Sequence, residues 1–196
     1  MATLTPFDQA TLLTGITNPT LRGGICIALS DRWLAFMKES RLRTPEERLT
    51  ALRAQAGSAM LYQDAYAWLR AEQGREEART NLGRTVGHEY EHQTTIMRIN
   101  VGMTGLRERM MADLDELGAA VTWTMVIPGW GRHAIAGYRG LVSIMNNMHK
   151  ASLHIFDPNV GEYVGELEQL DGILRDLFRR VPEYQGIMEL TRTTTR

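Results

Sequence analysis

The sequence predicts an α+β fold, in which a helical first half packs on an antiparallel sheet formed by the second half, with a final helix. Up to Gly118, apolar residues recur at spacings of three and four, as on one face of a helix. After Gly118, β-branched and aromatic stretches alternate with turn sequences, which is typical of antiparallel strands. Helical spacing returns only near the C-terminus, and we therefore expect the layers to follow this order along the chain.

Composition limits the class of protein before any motif is considered. The chain has 196 residues, with 43% hydrophobic and 23% charged residues and a net charge of -1. We expect a single globular domain, residues 1–196, without a nucleic-acid partner, because disordered chains and nucleic-acid-binding proteins carry more charge of one sign. We also expect no signal peptide and no transmembrane segment, since the N-terminus lacks a basic stretch before an apolar run and no apolar run reaches about 18 residues.

The first helix that bears on function begins near Gly24 and places the only cysteine, Cys26, in its first turn. A second helix is expected to begin at Thr44, where Pro45 and Glu47 complete a capping sequence. We expect this long helix to run to about Gly74. Another helix is predicted between Leu106 and Leu117, and residues 75–104 remain unassigned. The apolar stripe of the first helix consists of Ile25, Leu29, Trp33 and Phe36.

In the second half, residues 119–127 and 132–140 predict a β-hairpin, because both are rich in strand-forming residues and a PGWG turn lies between them. A polar connection is expected at 143–151, followed by a strand at 152–157 and a short extension at 162–165. The amphipathic stretch from Leu167 to Phe178 predicts the final helix, and the TRTTTR tail is expected to be disordered.

Cys26 is a candidate nucleophile because of its place at the helix start. Unpaired N–H groups and the helix dipole stabilise a thiolate there, and the preceding Gly23 and Gly24 allow a substrate backbone to approach closely. The alternative is that a lone cysteine is simply a small buried hydrophobic residue.

A catalytic thiol needs a base and a group that orients the base, and His133 and Asp157 are the candidates. His133 begins one predicted strand and Asp157 ends the next, so adjacent antiparallel pairing would bring them together. His154 alternates to the opposite face from Asp157, and His149 is expected in the solvated connection. His133 and Asp157 are both expected at a cleft surface, where substitutions change the free energy of unfolding by about 0.5 kcal/mol or less.

Three sequence blocks resemble the YopT/AvrPphB-type bacterial effector cysteine proteases of the papain-like superfamily. They are G-x-C-x-x-L-S-x-x-W around Cys26, H-A-I from His133, and F-D-P-N-x-G-E-Y around Asp157. The resemblance implies a papain-like domain with Cys26 as nucleophile, His133 as general base and then acid, and Asp157 as the orienting group. It also implies no cofactor, a host protein as substrate, delivery by a bacterial secretion system and a possible secretion chaperone.

Two further residues complete the predicted site. Papain-like enzymes hold an amide side chain before the nucleophile, and Asn18 is the nearest amide, so it is the candidate oxyanion group beside the Cys26 N–H. Trp130, in the turn before His133, is a candidate wall of the substrate groove.

Other functions fit the same residues. The triad would also serve a deamidase, a transglutaminase or a peptidoglycan amidase, and a non-enzymatic adaptor is a further alternative. The sequence HEYEH also matches the HExxH pattern of zinc proteases, with His88 and His92 on one helix face, Glu89 as base and Glu108 as a possible third ligand. We expect no metal, because three fixed residues occur together by chance and the preceding glycines weaken a helix.

Overall fold

A computed structural model describes residues 2–39, 44–91, 97–98, 102–144 and 148–195 of the chain. The described α-helices are α1 (Pro19–Arg22), α2 (Cys26–Glu39), α3 (Pro45–Ala54), α4 (Ala56–Gln73), α5 (Arg75–Thr85), α6 (Gly102–Asp113) and α7 (Leu170–Arg180). The described strands are β1 (Thr3–Pro6), β2 (Tyr90–Glu91), β3 (Met97–Arg98), β4 (Ala120–Ile127), β5 (Gly131–Ile144), β6 (Met148–Asp157), β7 (Gly161–Gly165) and β8 (Glu189–Thr195). The predicted α+β class is confirmed.

The described strands form one antiparallel sheet in the order β1-β7-β6-β5-β4-β8-β2, with β3 also paired to β8. Hairpins join β4 to β5 and β6 to β7, as the turn sequences predict. The two ends of the described chain are both in the sheet, since β1 pairs with β7 and β8 lies between β4 and β2.

Alternation along β5 divides the apolar residues between two cores, one on each face of the sheet. Ala134 and Ala136 face a core built with α2, α3 and α4, and their small side chains let α2 lie close to the strand. Ile135 faces the opposite core, which contains α6 and α7. Ser30 of α2 donates a hydrogen bond to the carbonyl oxygen of Ala134 at 3.3 Å, which fixes this helix beside the start of β5.

A buried carboxylate, Glu162 of β7, ties the helical layer to the sheet. It accepts hydrogen bonds from the indole N–H of Trp33 at 2.9 Å and from His154 Nδ1 at 3.0 Å, and it forms an ion pair with Arg48. These partners come from α2, β6 and α3, and all three are buried. Because a buried charge is tolerated only when its acceptors are occupied, this set specifies how the two layers dock.

Several predicted boundaries were wrong. The helix expected from Thr44 to Gly74 is two helices that meet at Gln55, although its capping box at Thr44 is present as predicted. The helix expected over Leu106–Leu117 begins and ends earlier, as α6. Residues 75–104 were not assigned to any element from the sequence, and the first part of this region forms helix α5.

The predicted connection and tail were also wrong. Strands β5 and β6 extend through most of residues 143–151, and the backbone of His149 lies in β6 opposite Ser143 instead of in a loop. The tail expected to be disordered forms most of β8, in which Thr193 and Thr195 are buried. Among the helices that the structure describes, none is both long and apolar enough to cross a membrane.

Candidate active site

Cys26 is the first residue of α2, as the sequence predicts, and it is buried. The turn before it depends on Gly24, whose φ of +100° is a conformation that residues with a Cβ rarely adopt. A Cβ at Gly24 would also lie 3.3 Å from the Gln9 side chain. Within the described residues no protein acceptor takes the Cys26 backbone N–H, so this donor remains available at the helix start.

His133 and Asp157 come together at the ends of neighbouring strands. The register of β5 and β6 places Asp157 diagonally across from His133 on the same face of the sheet. His133 Nε2 lies 3.2 Å from Asp157 Oδ1, which also accepts the Asn159 backbone N–H at 2.7 Å. The tight turn after β6 therefore holds this carboxylate towards the ring, while His154 lies on the opposite face with Glu162, as alternation predicts.

The imidazole of His133 connects Asp157 to Cys26. Burial alone would lower the pKa of His133, but the negative charge and hydrogen bond of Asp157 and a hydrogen bond with Cys26 raise it to about 10. The cysteine, the histidine and the aspartate thus form a continuous hydrogen-bonded set, in which Asp157 favours the protonated form of His133.

Tyr184 is a member of this site that the sequence reasoning missed. Its hydroxyl donates to Asp157 Oδ2 at 2.5 Å, and its ring lies 5.6 Å from that of His133. Burial, followed by the charge of Asp157, raises the pKa of Tyr184 well above its usual value, so the phenol stays protonated and donates. Its place after α7, in the turn PEYQG, gives no sequence signal of a functional role.

Trp130 lies where a groove wall was predicted. Its ring is 5.4 Å from His133 and 5.7 Å from Tyr184, and 42% of the residue remains exposed. The indole covers the imidazole from the solvent side, and its remaining surface is open to a ligand.

The structure places Asn18 elsewhere, so its choice as the oxyanion amide needs correction. Its side chain caps α1 by accepting the Thr20 N–H at 2.9 Å and donates to Asp64 of α4 at 3.3 Å. An amide held by these two contacts is not directed at Cys26.

Gln9 is the amide that lies beside the cysteine. Its Oε1 accepts the N–H of Ile25 at 2.9 Å, and its Nε2 donates to Asn159 at 2.6 Å. Among the residues that the structure describes, these contacts leave one N–H of the amide without an acceptor, next to the start of α2. Gln9 lies 17 positions before Cys26, in the 3-10 helix Gln9–Leu13, and proximity in sequence could not identify it.

A cleft of about 350 Å³ opens above these residues. Its wall includes Gln9, Gly23, Gly24, Trp130 and His133, and the two glycines lie just before the start of α2 at Cys26. The cleft therefore lies between the residues that precede α2 and the start of β5, where His133 is located.

The HEYEH sequence does not form the helix that a zinc protease requires. Residues 90–91 belong to β2, and His88 is buried with Nε2 donating to the carbonyl oxygen of Asp31 at 2.7 Å. His92 lies outside the described residues. In the part of the chain that the structure describes, no group of three or more His, Cys, Asp or Glu side chains is placed to hold a metal.

The comparisons with known proteins bear on the fold. No protein-family model matches the sequence, and no curated protein matches it. Among solved structures, the fold is similar to that of the Pseudomonas avirulence protein AvrPphB, with a TM-score of 0.68. The two share 18% sequence identity, and the match covers 90% of this chain and 94% of that chain. At this identity the similarity shows a shared fold, and the chemistry has to be argued from the site.

Proposed function

We propose that this protein is a cysteine protease in which Cys26 is the nucleophile, His133 the acid and base, and Asp157 the group that orients the imidazole. One observation carries the proposal: a buried imidazole hydrogen-bonded to Asp157 through Nε2 and to the only cysteine of the chain on its other side. A buried histidine between a thiol and a carboxylate is the arrangement that nucleophilic catalysis by cysteine uses.

The high pKa of His133 sets the starting state of the reaction. The protonated imidazole activates the nucleophile, because a cation beside a cysteine favours the thiolate form that attacks carbonyl groups. The thiolate attacks the peptide carbonyl, and the tetrahedral intermediate expels the amine with the proton from His133. The neutral imidazole then removes a proton from water, which attacks the thioester and releases the acid and the thiolate.

The developing oxyanion needs donors that are already in place. The free Cys26 N–H supplies one, and the free amide N–H of Gln9 supplies the second. Gln9 is suited to this role because Ile25 and Asn159 fix both ends of its amide group. A donor held in this way needs no reorganisation when charge forms on the carbonyl oxygen.

The biological setting follows from the motifs and the fold together. The motif resemblance to effector proteases and the fold similarity to a Pseudomonas avirulence protein support a bacterial effector that is delivered into a host cell by a secretion system. Its substrate is then a host protein, and a secretion chaperone is a possible partner before delivery.

The test begins with the thiol. Iodoacetamide should modify Cys26 in the folded protein at neutral pH, and because the chain has a single cysteine, intact mass reports this residue alone. The protein and its Cys26→Ala variant are then incubated with host-cell lysate, and new protein N-termini are identified by mass spectrometry. New N-termini that require Cys26 support a protease, whereas conversion of glutamine to glutamate without cleavage would identify a deamidase. A thiol that resists iodoacetamide would refute the nucleophile.

A further inference from the structure

A second groove lies beside the cleft, on the outer side of α4. Its volume is about 560 Å³, and we call it the α4 groove. Its wall consists of one residue of α1 and five residues of α4, namely Thr20, Leu61, Asp64, Ala65, Ala67 and Trp68. Asp64 is the one charged residue among these six, and it accepts a hydrogen bond from Asn18 at 3.3 Å. The α4 groove is therefore suited to an uncharged side chain.

Two large apolar side chains of the α4 groove are left in solvent. Leu61 is 74% exposed and Trp68 is 64% exposed, which are the highest values among the large apolar residues in the described part of the chain. Ala65 lies between them at spacings of four and three residues, so the three side chains form a stripe on one face of the helix. The core side of α4 is formed by Tyr62 and Tyr66, which are buried. A contiguous apolar stripe that the core does not use is typical of a binding surface.

The short helix α1 separates the α4 groove from the cleft at the start of α2. Thr20 of α1 lines the groove, and Arg22, two residues later, lines the cleft. The hydrogen bond between Asn18 and Asp64 ties α1 to α4, against which it packs. A polypeptide in the cleft therefore reaches the α4 groove by crossing one helix. The crossing takes about three extended residues, because a helix is about 10 Å wide and an extended chain advances about 3.3 Å per residue.

We infer that the α4 groove is an exosite for the substrate polypeptide, in which Leu61 and Trp68 bind a large apolar side chain more than about three residues from the scissile bond. This inference rests on the proposed protease function and adds a determinant of substrate choice outside the cleft. The occupant is the substrate itself, because the groove continues the cleft across α1. Tryptophan suits the role because it offers a large rigid apolar surface and is enriched among residues that dominate binding energy.

The test uses a peptide library, so that no natural substrate has to be known. Host-cell proteins are cleaved at methionine with cyanogen bromide, which gives long peptides, and the amines of these peptides are blocked. The protein is added, new amino termini are identified by mass spectrometry, and the residues on both sides of each cut are compiled. Leucine, isoleucine or phenylalanine should be enriched at one position beyond the third residue from the cut.

Kinetics with variants assign this preference to the stripe. One cleaved peptide is synthesised with its distant apolar residue and with serine in that position. Serine should lower kcat/KM about tenfold, through KM and not kcat, because the groove binds the ground state and the transition state equally. In Leu61→Ser and Trp68→Ser, the two peptides should be cleaved with nearly equal kcat/KM. Leu117→Ser is the matched control, because Leu117 is 57% exposed and lies outside both walls, and this variant should keep the tenfold difference.

The possible outcomes separate this inference from the proposed function. Enrichment confined to the three residues on either side of the cut, or a serine effect that survives both stripe substitutions, would overturn the inference and leave the protease intact. Sedimentation of the original protein and of Trp68→Ser tests a second copy as the occupant, and a dimer that this substitution dissociates would also overturn the inference. A protein that cuts no peptide of the library would contradict the proposed protease, and the inference with it.

Discussion

Replacing Asp157 should destabilise the protein as well as inactivate it, against the expectation from sequence that this residue lies at a cleft surface. Its side chain is fully buried and accepts hydrogen bonds from His133, Asn159 and Tyr184. Asp157→Ala leaves two buried donors, one part-buried donor and the His133 charge without their acceptor, which costs about 3–5 kcal/mol. For a urea m-value of about 2 kcal/mol/M, the unfolding midpoint falls by about 2 M.

Asp157→Asn should be milder, at about 1–2 kcal/mol, because the amide oxygen still accepts and the Tyr184 hydroxyl can turn to accept from the amide. The imidazolium nevertheless loses its anionic partner, so the pKa of His133 should fall towards the ordinary 6.5. Alkylation of Cys26 at neutral pH should slow accordingly, since the thiolate loses its imidazolium.

The pH dependence of stability gives the same prediction an independent check. The pKa of His133 is raised in the folded state. Its contribution to the free energy of unfolding is therefore complete below pH 6.5, the ordinary pKa, and is lost as the pH rises from 6.5 to about 10. The free energy of unfolding of the original protein should therefore decrease over this range, by about 5 kcal/mol at most. The Asp157→Asn variant should show a much smaller slope.

The assay is urea unfolding followed by tryptophan fluorescence at several pH values, with alkylation rates from intact mass. Asp115→Asn is the control, because it changes the same group at an exposed position without a partner in the described structure. A midpoint for Asp157→Ala within about 0.3 M of the original protein, or an Asn variant less stable than the Ala variant, would refute the account of this carboxylate.

Four further substitutions test the other assignments. Tyr184→Phe should lower the free energy of unfolding, measured in urea, by about 1–3 kcal/mol, because Asp157 loses a buried donor. The rate of Cys26 alkylation should also fall, and an unchanged rate would contradict this prediction. Gln9→Ala should reduce peptide hydrolysis by about 10²–10³-fold in kcat, whereas Asn18→Ala should affect only stability, by about 1 kcal/mol from the lost cap; equal kcat losses would reject the assignment. His88→Ala should lower the urea midpoint through loss of a buried hydrogen bond, while EDTA should leave hydrolysis intact; zinc-restored activity after EDTA would revive the metal hypothesis.

The sequence predicted local features of the site well, because short-range physics determines them. Cys26 begins a helix because two glycines precede an apolar stripe with helical spacing, and both signals lie within a dozen residues. His133 and Asp157 share a face because strand alternation fixes where each side chain points once two strands pair.

The features that the sequence did not predict depend on contacts between distant parts of the chain. Gln9 reaches the site because the turn after β6 holds its amide, and Tyr184 because α7 packs against the sheet. The tail was expected to be disordered because it is polar, yet threonine is β-branched, and Thr193 and Thr195 are buried once β4 supplies a partner strand. Such residues carry no local pattern that separates them from an ordinary turn or tail.

The position of β8 also determines when during synthesis the sheet around the candidate site can be completed. This strand inserts between β4 and β2, and Tyr184 precedes it by only a few residues, so the sheet and the support of Asp157 both wait for residues 184–195 to leave the ribosome. Helices α4 and α5 can pack against each other earlier, because they are neighbours in the sequence. Cys26 is therefore synthesised long before the residues that support Asp157, so the candidate site assembles late in folding.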